Sequence, residues 1–221
     1  TDPSPVLSVL DLAVVGRGST PAEALARSQE LVVEAERLGY HRYWVAEHHN
    51  MPGIASASPP VLIATLAART STIRVGSGGV MLPNHAPLLV AEQYGTLANI
   101  HGDRIDLGLG RAPGTDQMTA RALSRSSAEP QAFANHIYDL QGWFGADGTA
   151  HSMPIVSSAS AGTKVPVWVL GSTVNGASIA GQLGLPFSLA SHFAADQIDD
   201  AHEVYRSSFS TEAPTAQIDK P

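Results

Sequence analysis

The sequence predicts an α/β fold in which parallel strands and helices alternate to form an incomplete (β/α)8 barrel. Six apolar runs of strand length alternate with helical patterns along the 221 residues, and strict alternation requires parallel strands joined by crossover helices. Four of the runs end in polar or glycine-rich tails, which is where a parallel barrel places its active site. We expect one domain over residues 1–221. A closed barrel needs eight units, so either this barrel is two units short or the sequence is part of a longer chain.

The first two strand-helix units are marked by clear helix starts. A strand is predicted around Val6 to Val14, and Thr20-Pro21-Ala22-Glu23 predicts a capping box with proline at the first helical position. Gly39 is expected to end that helix. The second strand, Tyr43 to Glu47, leads through a loop rich in Pro, Gly and Ser into a helix from Pro59 to about Thr70.

The other four units follow the same pattern. Their predicted strands are Ile73 to Gly78, Arg104 to Leu109, Val167 to Leu170 and Phe187 to Ala190. Their predicted helices run from about Pro87 to Ile100, Gln131 to Phe144, Asn175 to Leu183 and Asp196 to Phe209. Between the fourth strand and its helix, Ala112 to Pro130 is predicted to be a long loop of small and polar residues, a type that is either functional or disordered.

Composition and charge argue against several classes of function. A hydrophobic content of 43% with 15% charged residues is ordinary for a globular domain. A formal charge of -7 provides no basic surface for nucleic acid or for an anionic membrane. No apolar run reaches the roughly 18 residues of a membrane helix, and the amino terminus has no basic segment before an apolar one. With no cysteine in the chain, we expect a cytoplasmic protein without disulfides or thiolate metal ligands.

The tail of the second strand carries two adjacent histidines. Because side chains alternate along a strand, His48 should point opposite to Glu47 and His49, so the two histidines cannot chelate one metal, and no metal site is expected. A histidine at the mouth of a parallel barrel titrates near neutral pH and can move protons for a bound cofactor. The alternative is a histidine that is merely hydrogen-bonded into a loop.

Three further tails have features of a cofactor site. Gly78 and Gly79 remove side chains at the third strand, so that a flat ligand can lie against the backbone, or they form a plain turn with a bulge. Arg111, after the fourth strand, can pair with a phosphate, and Gly171 to Asn175 precede a helix whose amides can bind the same anion. Alternatively, Arg111 pairs with an acid, and Thr173 or Asn175 caps the helix.

Together these motifs resemble, in order, those of the bacterial-luciferase-like flavin monooxygenases. The matching segments are Glu47-His48-His49, the Val-Gly-Ser-Gly-Gly-Val-Met-Leu-Pro-Asn-His-Ala-Pro stretch from Val75 to Pro87, Arg104 to Arg111, and the Gly171-Ser172 helix start. The resemblance implies a (β/α)8 barrel that uses reduced FMN, supplied by a separate flavin reductase, and oxygen to oxygenate a small organic substrate. It also implies a homodimer, and such enzymes often serve natural-product biosynthesis.

The resemblance also implies roles for individual residues. His48 matches the catalytic histidine beside the flavin, and we expect Glu47, which precedes it in the same motif, to be a catalytic residue as well. Gly78-Gly79 matches the site of a cis peptide against the isoalloxazine ring, and Arg111 matches a phosphate-binding arginine. Ser172 matches a phosphate-contacting hydroxyl, and Gly171 and Asn175 belong to the same half of the phosphate site. Bacterial luciferase has a glutamate and a threonine at the positions of Gly171 and Asn175.

Two other functions remain open at the level of the sequence. Deazaflavin (F420)-dependent oxidoreductases share this architecture, so the cofactor could be F420 in place of FMN. Shortened relatives of luciferase that bind flavin without turnover are the second alternative. The presence of His48 favours catalysis over storage.

Overall fold

The computed structural model describes residues 5–112, 115–123 and 130–221. In this part of the chain, six strands form one parallel sheet in sequence order. The strands are β1 (Ser8–Asp11), β2 (Arg42–Val45), β3 (Arg74–Met81), β4 (Ile105–Gly110), β5 (Val167–Gly171) and β6 (Phe187–Leu189). The predicted parallel sheet of six units is therefore confirmed. It has two strands fewer than a closed (β/α)8 barrel.

Helices connect consecutive strands. The described residues contain α1 (Pro21–Arg37), α2 (Pro59–Ala67), α3 (Pro87–His101), α4 (Gln117–Ala122), α5 (Pro130–Phe144), α6 (Val174–Gln182) and α7 (Ile198–Ser208). The predicted capping box at α1 is confirmed: Glu23 N donates to Thr20 Oγ1 at 3.2 Å, and Thr20 N donates to Glu23 Oε2 at 2.8 Å. Within the same residues, no helix combines the length and apolar character needed to cross a membrane.

The stretch after β4 differs from its prediction. An unbroken loop from Ala112 to Pro130 is wrong, because α4 lies within it. The carboxylate of Asp116 starts this helix by accepting hydrogen bonds from the backbone N of Met118 at 2.9 Å and of Thr119 at 3.0 Å. The segments 113–114 and 124–129 of the predicted loop lie outside the described residues.

Several strand ends also differ from prediction. β1 is shorter than the predicted Val6 to Val14, and β2 ends at Val45, before Glu47. β3 is longer than predicted and continues through its glycines to Met81. It can do so because a bulge at Gly79 keeps the strand paired with β4 on both sides of the glycines.

The sheet is strongly curved. Trp44 on β2 and Trp168 on β5 are three strand intervals apart, which is about 14 Å on a flat sheet. Their ring centroids are nevertheless 5.3 Å apart, with the planes at 74°. Both rings therefore project from one concave face, around which the strands bend as they do in a barrel wall.

The amino ends of the strands carry charges on this concave face. Asp106, fully buried, accepts from Arg42 Nε at 3.0 Å and pairs with Arg74 Nη2 at 2.7 Å. Trp44 Nε1 donates to the same carboxylate at 3.2 Å. Arg42 and Arg74 are the first residues of β2 and β3, so this cluster lies at the end of the barrel opposite the predicted site.

The main hydrophobic core lies between the convex face of the sheet and the helices. Outward-pointing strand residues such as Tyr43, Val75 and Leu107 are fully buried there. Helix residues such as Ile63 and Ile137 belong to the same cluster. Burial of these side chains supplies the main driving force for folding and fixes the strands whose carboxyl ends form the rim described next.

Candidate functional site

The predicted site residues lie at one end of the sheet. Val45 and Leu107 pair, from either side, with Ser77 on the strand between them. His48 follows Val45 by three residues, and Arg111 follows Leu107 by four. Because all the strands run in the same direction, both residues emerge at the carboxyl ends of β2 and β4, on either side of the end of β3.

The end of β5 lies level with the end of β4. Leu109 pairs with Val169, so Arg111 and Gly171 each lie two residues beyond a paired position. Gly171 is the last residue of β5, and Ser172 leads directly to the first turn of α6. Arg111, Gly171 and Ser172 therefore occupy neighbouring positions along the rim, as a shared phosphate site requires.

The glycine tail of β3 is a bulge that faces the concave side. Gly78 pairs with Gly108, and Val80 pairs with the next residue of β4, so Gly79 is the extra residue. A Cβ on Gly78 would lie 2.8 Å from Leu10 Cδ1 and 3.0 Å from Trp44 Cε3. Only glycine fits here without displacing its neighbours. The expected bulge is therefore present, and contact of these glycines with a flat ligand stays a prediction.

The second glycine of the bulge faces the same interior. A Cβ on Gly79 would lie 2.7 Å from the carbonyl oxygen of Gly108 and 3.1 Å from Leu170 Cδ1. The Gly78-Gly79 peptide bond is cis, as the resemblance implies. The Cβ positions of both glycines are therefore occupied by neighbouring protein atoms, so the bulge is tightly packed against the strands beside it.

Glu47 is the centre of a buried hydrogen-bond cluster. Its carboxylate accepts from His49 Nε2 at 2.8 Å, from Met81 N at 2.8 Å, from Asn84 Nδ2 at 3.2 Å and from His85 Nε2 at 2.9 Å. We call these five residues the Glu47 cluster. A carboxylate offers about four lone-pair positions, so all of its accepting capacity is used within the cluster.

The cluster keeps Glu47 ionised. Burial alone would raise the pKa of its carboxyl, but the hydrogen bonds and charges of His85, with the bonds from His49 and Met81 N, lower the pKa below its ordinary value. The Glu47–His49 contact also confirms that these two side chains share one side of the β2 tail, as strand alternation predicts.

His48 makes no bond with either neighbouring side chain. Its backbone N donates to Ser56 O at 3.0 Å, and its Nδ1 is buried without a hydrogen-bond partner among the described residues. Burial lowers the pKa of His48 below its ordinary 6.5, although Glu47 acts in the opposite direction. The imidazole is therefore neutral near pH 7 and has one ring nitrogen free for a ligand or for a proton.

The start of α6 is open to an anion. Thr173 is the N-cap residue, yet its side chain makes no capping hydrogen bond, and Asn175 is the second residue of the helix. Of the two alternatives that the sequence left open, a side-chain cap by Thr173 is not formed. The first-turn amides of α6 thus have no side-chain acceptor from Thr173, which leaves the helix start suited to a phosphate.

The mouth also contains contacts that sequence reasoning missed. Asn50 Nδ2 donates to Asp116 Oδ2 at 2.8 Å, and Thr115 Oγ1 donates to His49 O at 3.0 Å. These bonds tie the segment before α4 to the tail of β2. Asn50 and Asp116 are 66 residues apart, so their contact depends on how the chain returns over the rim.

His85 and Asn84 were missed as well. Both lie inside the Val75 to Pro87 motif, whose resemblance to the family implies no individual role for either residue. They reach Glu47 because a 3-10 helix, Leu82–Asn84, turns the chain back after β3. The motif was the available signal, and the turn geometry was what the sequence did not specify.

A family model for luciferase-like monooxygenases matches residues 7–219. A luciferase-like monooxygenase of Escherichia coli (strain K12) is 52% identical over 223 residues, covering 100% of this chain and 65% of the relative. The chain therefore spans about two thirds of the length of this relative. The crystal structure of apo-MsnO8 superposes with a TM-score of 0.87 at 38% identity, covering 95% of this chain and 63% of that one.

Two more distant structures share the fold. The oxygenating constituent of a 3,6-diketocamphane monooxygenase from Pseudomonas putida, in complex with FMN, has a TM-score of 0.75 at 18% identity, covering 91% of this chain and 61% of that one. An F420-dependent secondary alcohol dehydrogenase has a TM-score of 0.69 at 16% identity, covering 91% and 64%. With the family match over nearly the whole sequence, the chain belongs to the luciferase-like monooxygenase family.

Proposed function

We propose that the protein is a flavin-dependent monooxygenase that uses reduced FMN and molecular oxygen to oxygenate a small organic substrate. The observation that carries the proposal is the buried Nδ1 of His48, which has no hydrogen-bond partner among the described residues, at the same rim as the Gly78-Gly79 bulge. Family membership supplies the reaction class. A separate flavin reductase would supply the reduced cofactor.

The residues present fit FMN. The Gly78-Gly79 bulge would hold the isoalloxazine ring against its backbone, because neither residue has a side chain that would separate the ring from the backbone. Arg111 and Ser172 would hold the phosphate together with the amides at the start of α6, beside Gly171 and Asn175. When bound, the reduced flavin supplies the electrons for oxygen activation.

Other residues at the rim would transfer protons and exclude water. His48, neutral at pH 7 because burial lowers its pKa, would accept or donate a proton at Nδ1. The Asn50–Asp116 bond holds the segment before α4 against the β2 tail, where it would help to exclude water from the bound cofactor.

The proposal is tested by mixing the protein carrying reduced FMN with oxygen, in the presence of a panel of small ketones, aldehydes and thioethers. We expect product that contains one added oxygen atom. His48→Ala should leave the dissociation constant of FMN nearly unchanged and slow product formation by about 100-fold. His101→Ala, at the far end of α3, is the matched control.

The turnover and binding measurements distinguish a monooxygenase that uses His48 from a protein that only binds flavin. Turnover that His48→Ala leaves unchanged would remove His48 from the mechanism. Tight flavin binding without oxygen consumption or product would instead identify a non-catalytic flavin-binding protein.

The cofactor has its own test. Similarity in fold to an F420-dependent dehydrogenase favours a deazaflavin as the second candidate. Titration of the protein with reduced FMN and reduced F420, followed by flavin fluorescence and calorimetry, should give tighter binding of FMN. Tighter binding of F420, with hydride transfer and no oxygen consumption, would make the protein an F420-dependent oxidoreductase.

We also propose that the protein is a homodimer. The outer surfaces of α2 and α3 lie side by side and expose Val61, Leu89 and Ile100, with exposed fractions of 65%, 50% and 67%. An apolar surface shared by two neighbouring helices is suited to contact with a second copy. Its test is given in the Discussion.

A further inference from the structure

The Glu47 cluster joins the ends of two neighbouring strands. Glu47 lies two residues after β2, and Met81, whose backbone N it accepts, is the last residue of β3. The same carboxylate binds Asn84 and His85 in the turn that follows β3. One side chain therefore fixes the tail of β2 against the tail and turn of β3.

The two groups at the centre of the proposed site lie beside this junction. His48 follows Glu47 directly, and Gly79 precedes Met81 by two residues. Because the His48 ring has no hydrogen-bond partner among the described residues, its orientation depends on the backbone of the β2 tail. That backbone is anchored by Glu47 and by the bond from His48 N to Ser56 O.

Glu47 itself has no capacity left for a substrate. It is fully buried and already accepts from four donors. His85 contacts both carboxylate oxygens, Oε2 at 2.9 Å and Oε1 at 3.0 Å. Among the described donors, His85 is therefore the one that contacts both carboxylate oxygens. Its side chain is 29% exposed, so it lies at the edge of the cluster and not in the hydrophobic core.

We propose that Glu47 and His85 are a positioning pair that holds the His48 imidazole in a fixed position relative to the Gly78-Gly79 backbone. Glu47 acts through His48 and does not touch the reacting atoms. The inference rests on the proposed function only where it concerns turnover, because the position of His48 can be measured without any cofactor.

The first test uses the flavin-free protein. The ring signals of His48, assigned with His48→Gln, are titrated by NMR in the wild type, His85→Leu, His85→Gln and His101→Leu. We expect His85→Leu to raise the pKa of His48 toward its ordinary value, because a loosened β2 tail hydrates the ring. His85→Gln keeps an N–H donor and should restore the wild-type titration, and His101→Leu should leave the titration unchanged.

The second test is a double-mutant cycle in turnover. His85→Leu should slow product formation by about 10-fold in the wild-type background. In the His48→Ala background it should have no further effect beyond about 2-fold, since a positioning pair acts only through the residue that it positions. A merely structural role would slow both backgrounds equally.

Thermal unfolding of each variant keeps the two tests interpretable, and His85→Ala replaces His85→Leu should the latter fail to fold. An unchanged His48 titration in the folded variant would overturn the proposal, as would equal slowing in both backgrounds. A wild type that never turns over would contradict the proposed function alone, and the NMR titration would still decide whether Glu47 and His85 position His48.

Discussion

Glu36 closes the loop before β3 with a single carboxylate oxygen. Its Oε1 accepts from the backbone N of Ser71 at 2.8 Å, of Thr72 at 2.6 Å and of Ile73 at 3.0 Å. Burial alone would raise the pKa of the carboxyl, but these bonds lower it from 4.5 to about 2. A charged acceptor at the end of α1 thus fixes the entry of the chain into β3.

The pKa of Glu36 predicts a dependence of stability on pH. Because the folded pKa is lower than the unfolded one, the contribution of Glu36 is present above pH 4.5 and is lost as the pH falls through about 2. Glu36→Gln should reduce the free energy of unfolding by about 1.5 kcal/mol at pH 7, with a smaller difference from wild type at pH 3. Urea unfolding measures both values. Glu30→Gln on the same helix is the control, and a difference that does not depend on pH would contradict the assignment.

Asp106 is the buried counter-charge of two arginines on the concave face. It pairs with Arg42 and Arg74 and accepts from Trp44, and it is fully buried. Asp106→Asn would leave the two guanidinium groups without a counter-charge, so we expect a loss of about 3 kcal/mol in unfolding free energy. Asp103→Asn, on the exposed turn before β4, should change it little. Chemical denaturation would refute the prediction if the two variants proved equally stable.

The β3–β4 pair depends on the absence of side chains at its glycines. A Cβ on Gly108 would overlap the carbonyl oxygen of Ser77 and lie 2.6 Å from Leu170 Cδ1. Because backbone cannot move aside cheaply, Gly108→Ala should cost about 3 kcal/mol. Gly53→Ala, where a Cβ meets no atom within 4 Å, is the matched control. Equal urea midpoints for the two variants would show that the strands separate to accept the methyl group.

Elements with strong local signals were predictable from the sequence. The α1 start followed from Thr20 and Glu23, whose reciprocal bonds the structure contains. The α4 helix was missed because its six residues are too few to show an apolar period. The length of β3 was missed because glycines normally end strands, and only pairing with β4 keeps this one extended.

The candidate site was predictable to the extent that it depends on strand alternation. Alternation correctly placed Glu47 and His49 on one side of the β2 tail, away from His48. It could not assign Met81 N and His85 to Glu47, since that contact needs the register between two strands and the turn after β3. The catalytic and cofactor-binding roles of the site residues stay predictions.

The curvature of the molecule arises from contacts between residues far apart in the sequence. Trp44 and Trp168 meet across the concave face although three strand intervals separate them, and Arg42 lies 4.8 Å above the Trp168 ring. Such contacts are set by the bending of the sheet, which no local pattern encodes. The number and order of the strands were predictable, because each strand-helix unit has its own apolar run and its own helix start.

The proposed homodimer predicts how the outer surface of α2 and α3 behaves in solution. Val61→Glu places a charge in the centre of that apolar surface, and burying it against a second copy would be unfavourable. Sedimentation velocity should show a dimer for the wild type and a monomer for Val61→Glu. Leu31→Glu, on the exposed side of α1, is the control that should remain dimeric. Thermal unfolding checks that each variant is folded. A wild-type monomer, or a Val61→Glu dimer, would exclude this surface as the interface.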